Sequence, residues 1–387
     1  MKILFINEFV KRRGAEEIVA DLMNGLSLNN DVKCLCFSLG DAKTMPKGYS
    51  VITTLKASKL FFDVVFYLKI RSFIKDYNPD IIILHNVFSS PITVYHAIKD
   101  YKGIQVIHDY KIVCPLGNCV YANQTHDICK GYNSGHCFKD CVKNHRIKRK
   151  LQLYLLKKCC KLRKKYISYL VSPSERLNKY LQDYGYNSVC INNPFKVNNN
   201  NLKNNCKIQK NKFIYVGEVS EEKGIFNFCD FIIKNNLNII LDIYGHISDE
   251  SKNEVKMIND KTTKITFMGS IERQKLLEKY SEYKFLIVPS ICMDNYPTVI
   301  LEAMGNGIVV IGTDRGGIPE MLEKGRGFYY EYGNVDEQIE MISKVINIDN
   351  DKYEIIRENA FNYVKKNNNV DNYVIEFLKL INIVVSN

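Results

Sequence analysis

No stretch of this chain is both long enough and uncharged enough to cross a membrane. The most apolar segment, LFFDVVFYLKIRSFI from Leu60, is interrupted by Asp63, Lys69 and Arg71, whereas a spanning helix needs roughly 18 or more residues almost free of charge. A secretory signal is missing as well: MKILFINEF carries one basic residue and reaches Asn7 and Glu8 too soon. Both absences lead to the expectation of a cytoplasmic protein. That setting argues against disulfides, because the cytosol is reducing and thirteen cysteines are an odd number. Most are expected to be buried or idle thiols.

Acid is scarce in the first half. Residues 1–200 carry 31 Lys and Arg against 15 Asp and Glu, and residues 201–387 carry 23 against 27, giving +16 and −4 and together the net +12. With 46% hydrophobic and 25% charged residues the chain is globular rather than disordered. Its 387 residues exceed one ordinary core, and about 150 residues per domain suggests two or three.

Short β-branched runs alternate with amphipathic stretches throughout, the pattern of parallel βαβ units. In the first half the predicted strands are 2–7, 32–38, 80–86, 104–109, 169–174 and 188–193, with a helix from Ala15 to Leu26. Residues 192–212 interrupt the alternation with a Pro and seven Asn between 198 and 211. Beyond them the strands resume at 213–218, 238–245, 265–269, 284–290 and 308–314, and the tail is helical. We therefore expect an α/β fold of two doubly wound, Rossmann-like domains, 1–195 and 213–370, joined by a linker at 196–212. The closing helix, 371–387, is free to cross back to the first domain. Two such domains facing across a cleft put ligand at the carboxyl ends of both sheets, so functional residues should follow strands.

DNYPTVILEAMGNG, residues 294–307, raises a specific question, because a nearly all-apolar helix holds the carboxylate Glu302 in its middle. Pro297 suits a first turn, so the helix is expected to begin there, with Asp294 in the loop that feeds it. Glu302 would lean back toward that loop, bringing two acids near a helix N-terminus that attracts phosphate. The plainer reading is an acid favouring its own helix dipole. A second stretch, YVGEVSEEKGI (215–225), sets Gly217 after a strand and Lys223 with Gly224 at the start of a helix. Its glycine spacing is not that of a Walker loop.

In order along the chain, YVGEVSEEKGI, IYGHISDE, ITFMGSIERQKLLEKY, FLIVPS, DNYPTVILEAMGNG and VIGTDRGGIPEML each close a predicted strand. With RRGAEE after the first strand and VIHDYKIVCP in the first half, the chain resembles the retaining GT-B glycosyltransferases of family 4. The resemblance spans nearly all of it and is most specific over 213–323. It implies that Glu302 accepts hydrogen bonds from the nucleotide ribose and that Asp294 holds donor-sugar hydroxyls, since a carboxylate can accept from both members of a diol. It implies that N–H groups of Tyr296, Thr298 and Val299 meet the donor, that His108 lies against the donor sugar, and that Gly14 and Ala15 line the diphosphate and acceptor. Gly217 and Glu218 flank the same site. Two departures stand out: Asp294 replaces the usual Glu, and Glu218 replaces the usual Arg, leaving Lys223 as the main phosphate cation. Gly316 and Gly317 fit either the site or a plain turn.

Cys114, Cys119, Cys129, Cys137 and Cys141, with His126, His136 and His145 nearby, invite a zinc reading, but their spacings lack a paired C-x2-C. A loop of idle thiols on the acceptor side is favoured, and no catalytic metal or cofactor is expected. The only D-x-D, Asp349 to Asp351, reads as a helix cap. From Lys143 to Lys165 the chain carries eleven Lys or Arg and no acid. That pattern suits attraction to anionic lipid through Lys157, Lys158, Lys161 and Lys164, or a solvated face over a core-facing stripe. The sequence thus leads to a cytoplasmic enzyme, peripheral on the inner membrane face. It would move a sugar from a UDP- or GDP-sugar donor to a lipid-linked glycan of bacterial O-antigen or capsule, with no nucleic-acid partner. The alternatives are a GT-B sugar-nucleotide epimerase and a zinc-stabilised nucleic-acid-binding protein.

Overall fold

The computed structural model describes residues 1–11, 14–52, 62–87, 90–114, 116–120, 128–129, 131, 146–197 and 211–386. The chain divides into two compact units, one formed by Met1–Asn123, Ile128–Pro194 and Val370–Asn387, the other chiefly by Phe195–Asn369. The Asn-rich part of the expected linker, 198–210, lies outside the described residues.

The first unit contains strands β1 (Lys2–Lys11), β2 (Asp31–Gly40), β3 (Tyr49–Val51), β4 (Ile81–Leu84), β5 (Gly103–Val106), β6 (Tyr169–Ser172) and β7 (Ser188–Cys190). Its helices are α1 (Gly14–Leu26), α2 (Val64–Tyr77), α3 (Pro91–Ala97), α4 (Arg146–Tyr166) and α5 (Glu175–Asp183). The strands form a parallel sheet in the order β3-β2-β1-β4-β5-β6-β7. Continuous apolar runs such as Ile81–Leu84 are what a strand covered on both faces requires. Asp63 caps α2 by accepting from the Phe66 N–H, and Ser174 caps α5 by accepting from that of Leu177.

The second unit has strands β8 (Lys212–Val216), β9 (Ile240–Tyr244), β10 (Ile265–Gly269), β11 (Phe285–Val288), β12 (Val309–Thr313) and β13 (Phe328–Tyr330). Its helices are α6 (Ile225–Lys234), α7 (Lys252–Lys261), α8 (Arg273–Lys279), α9 (Thr298–Gly305), α10 (Ile318–Leu322), α11 (Val335–Ile346) and α12 (Asn350–Asn367). This sheet is also parallel, in the order β10-β9-β8-β11-β12-β13. Successive side chains feed opposite faces. Phe213, Phe285 and Ile287 enter one core, while Ile214, Leu286 and Val288 enter the other. A last helix, α13 (Val370–Ser386), belongs to the first unit and packs on α1. Gly25 of α1 makes that approach possible, because a Cβ there would collide with Val374.

Both sheets reverse their strand order at the first strand of the unit, between β1 and β4 and between β8 and β11. A ligand crevice opens at such a point, beyond the carboxyl ends of the strands. The expected strands are all present, but β3 and β13 were not expected. Each is a three-residue strand at the edge of its sheet. The helix expected from Pro297 begins at Thr298 instead. Pro297 has the helical φ of −63° but an extended ψ of 121°, so it caps the helix rather than joining it.

Candidate functional site

In the second unit the loops after β8 and β11 are neighbours at the reversal point, and their side chains meet. Lys223 ends a short 3-10 turn, Glu221–Lys223, and its Nζ lies 2.6 Å from Asp294 Oδ2. Ser290 Oγ donates to the same oxygen at 2.9 Å, and Thr313 Oγ1 donates to the Ser290 carbonyl at 2.8 Å. Burial opposes the Lys223 charge, but the Asp294 carboxylate outweighs it and raises the lysine above its ordinary range. The pair is part-exposed, the lysine side chain by 33% and the aspartate by 18%, so a ligand can reach it.

The backbone of the Asp294 loop is clamped from the far side. Gly317 N–H donates to the Asp294 carbonyl at 2.7 Å. Gly316 has φ 58° and lies so close that a Cβ would collide with that carbonyl. The glycine pair read as ambiguous in sequence therefore shapes the acid's loop.

Glu302 is buried, and its Oε1 lies 3.2 Å from Arg273 Nη2 at the start of α8. Burial raises its pKa, and the guanidinium partly offsets that rise. The first-turn N–H groups of Thr298 and Val299 precede any acceptor within α9 itself. Tyr296 turns its ring into the core, where its hydroxyl meets those of Tyr363 at 3.3 Å and the amide of Asn368 at 3.2 Å. Its side chain is thereby committed to the core. Gly217 follows β8 directly, and the exposed Glu218 offers its carbonyl to Tyr215 Oη at 2.7 Å.

The first unit gathers a second group at its own reversal point. Asn7 Oδ1 accepts from the Asn86 N–H at 3.2 Å, and Asn86 Nδ2 reaches Glu16 Oε1 of α1 at 3.5 Å. Gly14 opens α1 just before these acids, with Ala15 beside it. His108 follows β5, and its Nε2 lies 3.0 Å from Nδ1 of His85, which follows β4. Burial depresses both rings, His108 down to about 4 despite the neighbouring Asp109, and His85 further with help from His108. Both are neutral at pH 7.

Sequence reading missed Arg273, Ser290, His85 and Glu16. His85 carried the same signal as His108, a polar residue at a strand end, and Arg273 lies in a quoted segment without having been singled out. Of the cysteine cluster, Cys114, Cys119 and Cys129 are buried free thiols. A hydrogen bond with Cys119 brings Cys114 down to about 6 against the opposing effect of burial. Cys137, Cys141, His126, His136 and His145 lie outside the described residues. Among the described residues no three metal-binding side chains come together. No helix among them is long and apolar enough to cross a membrane.

Along α4, Lys157, Lys161 and Lys164 are exposed and Lys158 is half-buried. Lys164 Nζ lies 5.2 Å from the centre of the Tyr186 ring.

Residues 198–363 match the family described as glycosyl transferases group 1. The match contains Lys223, Arg273, Asp294 and Glu302 together. Over 396 residues the chain is 24% identical to an uncharacterized 41.2 kDa protein of the cps region of Klebsiella pneumoniae, covering 97% of this chain and 98% of that one. The structure of HepE from Anabaena with UDP is similar at a TM-score of 0.74 and 17% identity, over 99% of this chain and 100% of that one. The lipopolysaccharide outer core galactosyltransferase WaaB, in its apo form, is similar at 0.67 and 17%, over 98% and 99%. The fold is that of GT-B glycosyltransferases, with the group 1 match falling on the second unit.

Proposed function

We propose that this protein is a retaining glycosyltransferase of family 4 that carries a hexose from a UDP- or GDP-sugar to a lipid-linked glycan during assembly of a bacterial surface polysaccharide. The Lys223–Asp294 pair carries the reading, because it lies at the sheet reversal inside the group 1 match. The cps-region relative and the likeness to a lipopolysaccharide galactosyltransferase support an O-antigen or capsule setting.

In this reading Glu302, oriented by Arg273, accepts from the ribose hydroxyls. Asp294 accepts from the donor sugar, and Lys223, drawn to it, faces the diphosphate. Breaking the sugar–phosphate bond puts negative charge on the departing diphosphate. Lys223 and the first-turn N–H groups of α9 would stabilise that charge in a preorganised way. A metal is not assigned this role: Asp349 of the D-x-D caps α12 by accepting from the Lys352 N–H.

Attachment to the inner face of the cytoplasmic membrane is part of the proposal. Its support is the row of lysines on α4 and the exposed Val64, Val65 and Leu68 at the start of α2. Helix α2 packs on α3, and α3 packs on α4. The test is a panel of UDP- and GDP-sugars scored by thermal stabilisation, followed by release of free nucleotide with and without a lipid-linked acceptor. One donor should stabilise the protein, and nucleotide release should require acceptor. Release without acceptor would favour an epimerase, and no stabilisation by any donor would end the reading.

A further inference from the structure

The first unit holds a cavity of about 240 Å³ beyond the carboxyl ends of β4 and β5, with α4 forming one wall. Gln152, Leu155, Leu156, Cys159 and Arg163 line it from that helix, spaced by three and four residues along one stripe. Arg163 is 7% exposed, and none of its partners among the described residues is a carboxylate. Its Nε donates to Tyr95 Oη at 3.0 Å and to Gln105 Oε1 at 2.9 Å. Its Nη1 reaches Tyr186 Oη at 3.4 Å and Cys160 Sγ at 3.8 Å. Nη2 makes no hydrogen bond among the described residues.

Burial opposes the charge, yet Tyr95, Tyr186 and Cys160 hold the guanidinium above its ordinary range, so it stays a cation. The one carboxylate on the described walls, Asp109, is bridged by Lys111 at 3.1 Å. Among the described residues the cavity is therefore short of one negative charge, and a buried ion without a counter-ion is costly.

The geometry points to a phosphate-binding pocket, whose ligand is the phosphate of the acceptor's lipid carrier. With Nε and Nη1 engaged, Nη2 is left to donate charge-assisted hydrogen bonds to phosphate oxygens, and the hydroxyl of a neutral sugar would not balance its charge. Val87, Pro91, Ile112, Leu155 and Leu156 give the same cavity an apolar side, fitted to hydrocarbon joined to that phosphate. The same helix carries the exposed lysines. The identity of the carrier rests on the transferase reading, whereas the need for an anion rests on Arg163 alone.

Calorimetry with the full chain tests this, using farnesyl diphosphate, farnesol, inorganic diphosphate and, separately, UDP and GDP. Farnesyl diphosphate should bind about tenfold or more tightly than farnesol, the order expected when a charged hydrogen bond is lost. Arg163→Gln should weaken it similarly. Leu155→Trp, which fills the cavity while leaving the arginine's partners in place, should do the same without altering UDP binding, and it decides the matter if Arg163→Gln fails to fold. Equal binding of diphosphate and alcohol, or unchanged diphosphate binding by Leu155→Trp, overturns the pocket. Inorganic diphosphate binding as tightly as the farnesyl compound overturns the lipid source. A wild type that binds neither UDP nor GDP would instead count against the transferase reading.

Discussion

A carboxylate inside an apolar helix needs a cation to stay ionised, and Arg273 supplies one to Glu302. The two acids of the 294–307 stretch are held by different partners, and their substitutions should diverge accordingly. Glu302→Gln, which turns an acceptor into a donor, should weaken UDP and the intact donor alike by about 1.5–3 kcal/mol. Asp294→Asn should weaken the intact donor by a similar amount but spare UDP, because Lys223 is then released toward the diphosphate. Calorimetry with both ligands checks this, and parallel losses would remove the division of labour. The histidine pair makes a separate prediction in pH. His108 is depressed from its ordinary 6.5 to about 4, so between those values the unfolded chain binds the proton and the folded one does not. Stability should be full above about pH 6.5 and fall as pH drops toward 4. Urea unfolding at several pH values should give a shallower slope for His108→Asn than for the wild type.

At the scale of elements, α4 does two things with two faces. Its inward stripe lines the cavity at Arg163, and its outward lysines are exposed or half-buried. Changing Lys157, Lys158, Lys161 and Lys164 to Gln should release the protein from anionic vesicles while leaving UDP binding intact. About 1 kcal/mol per engaged basic residue makes that a large shift at moderate salt. Unchanged sedimentation with vesicles would leave α4 as a solvated face. The basic run was plain in the sequence because eleven cations without an acid need no folding to be seen. The buried role of Arg163 was hidden in that same run, since a cation facing inward is written with the same letter as one facing out. Fully buried strands such as β4 and β11 announced themselves as apolar runs, and Asp349 announced its cap. The edge strands β3 and β13 did not, nor did the Arg273–Glu302 pair, whose partners are 29 positions apart and meet only through the sheet.

At the scale of the whole molecule, α13 returns to the unit that holds β1. Tyr373, Val374, Phe377, Leu380, Ile381 and Val384 of α13 enter the core that contains Val19, Leu22 and Leu26 of α1. Phe377 is fully buried, and Phe377→Ala should cost about 3–5 kcal/mol. Hydrogen exchange should speed up in β1, β2 and α1 and stay unchanged in β8 to β13; equal acceleration in both units would contradict the assignment of α13. The position of this helix also sets an order of events during synthesis. Residues 195–369 can close their own cores as they leave the ribosome, but the face of α1 waits for residues made after them. The unit translated first is thus completed last, with apolar surface open to chaperones in the interval. A ribosome arrested with α13 still in its exit tunnel should carry a protease-resistant second unit behind a protease-sensitive first.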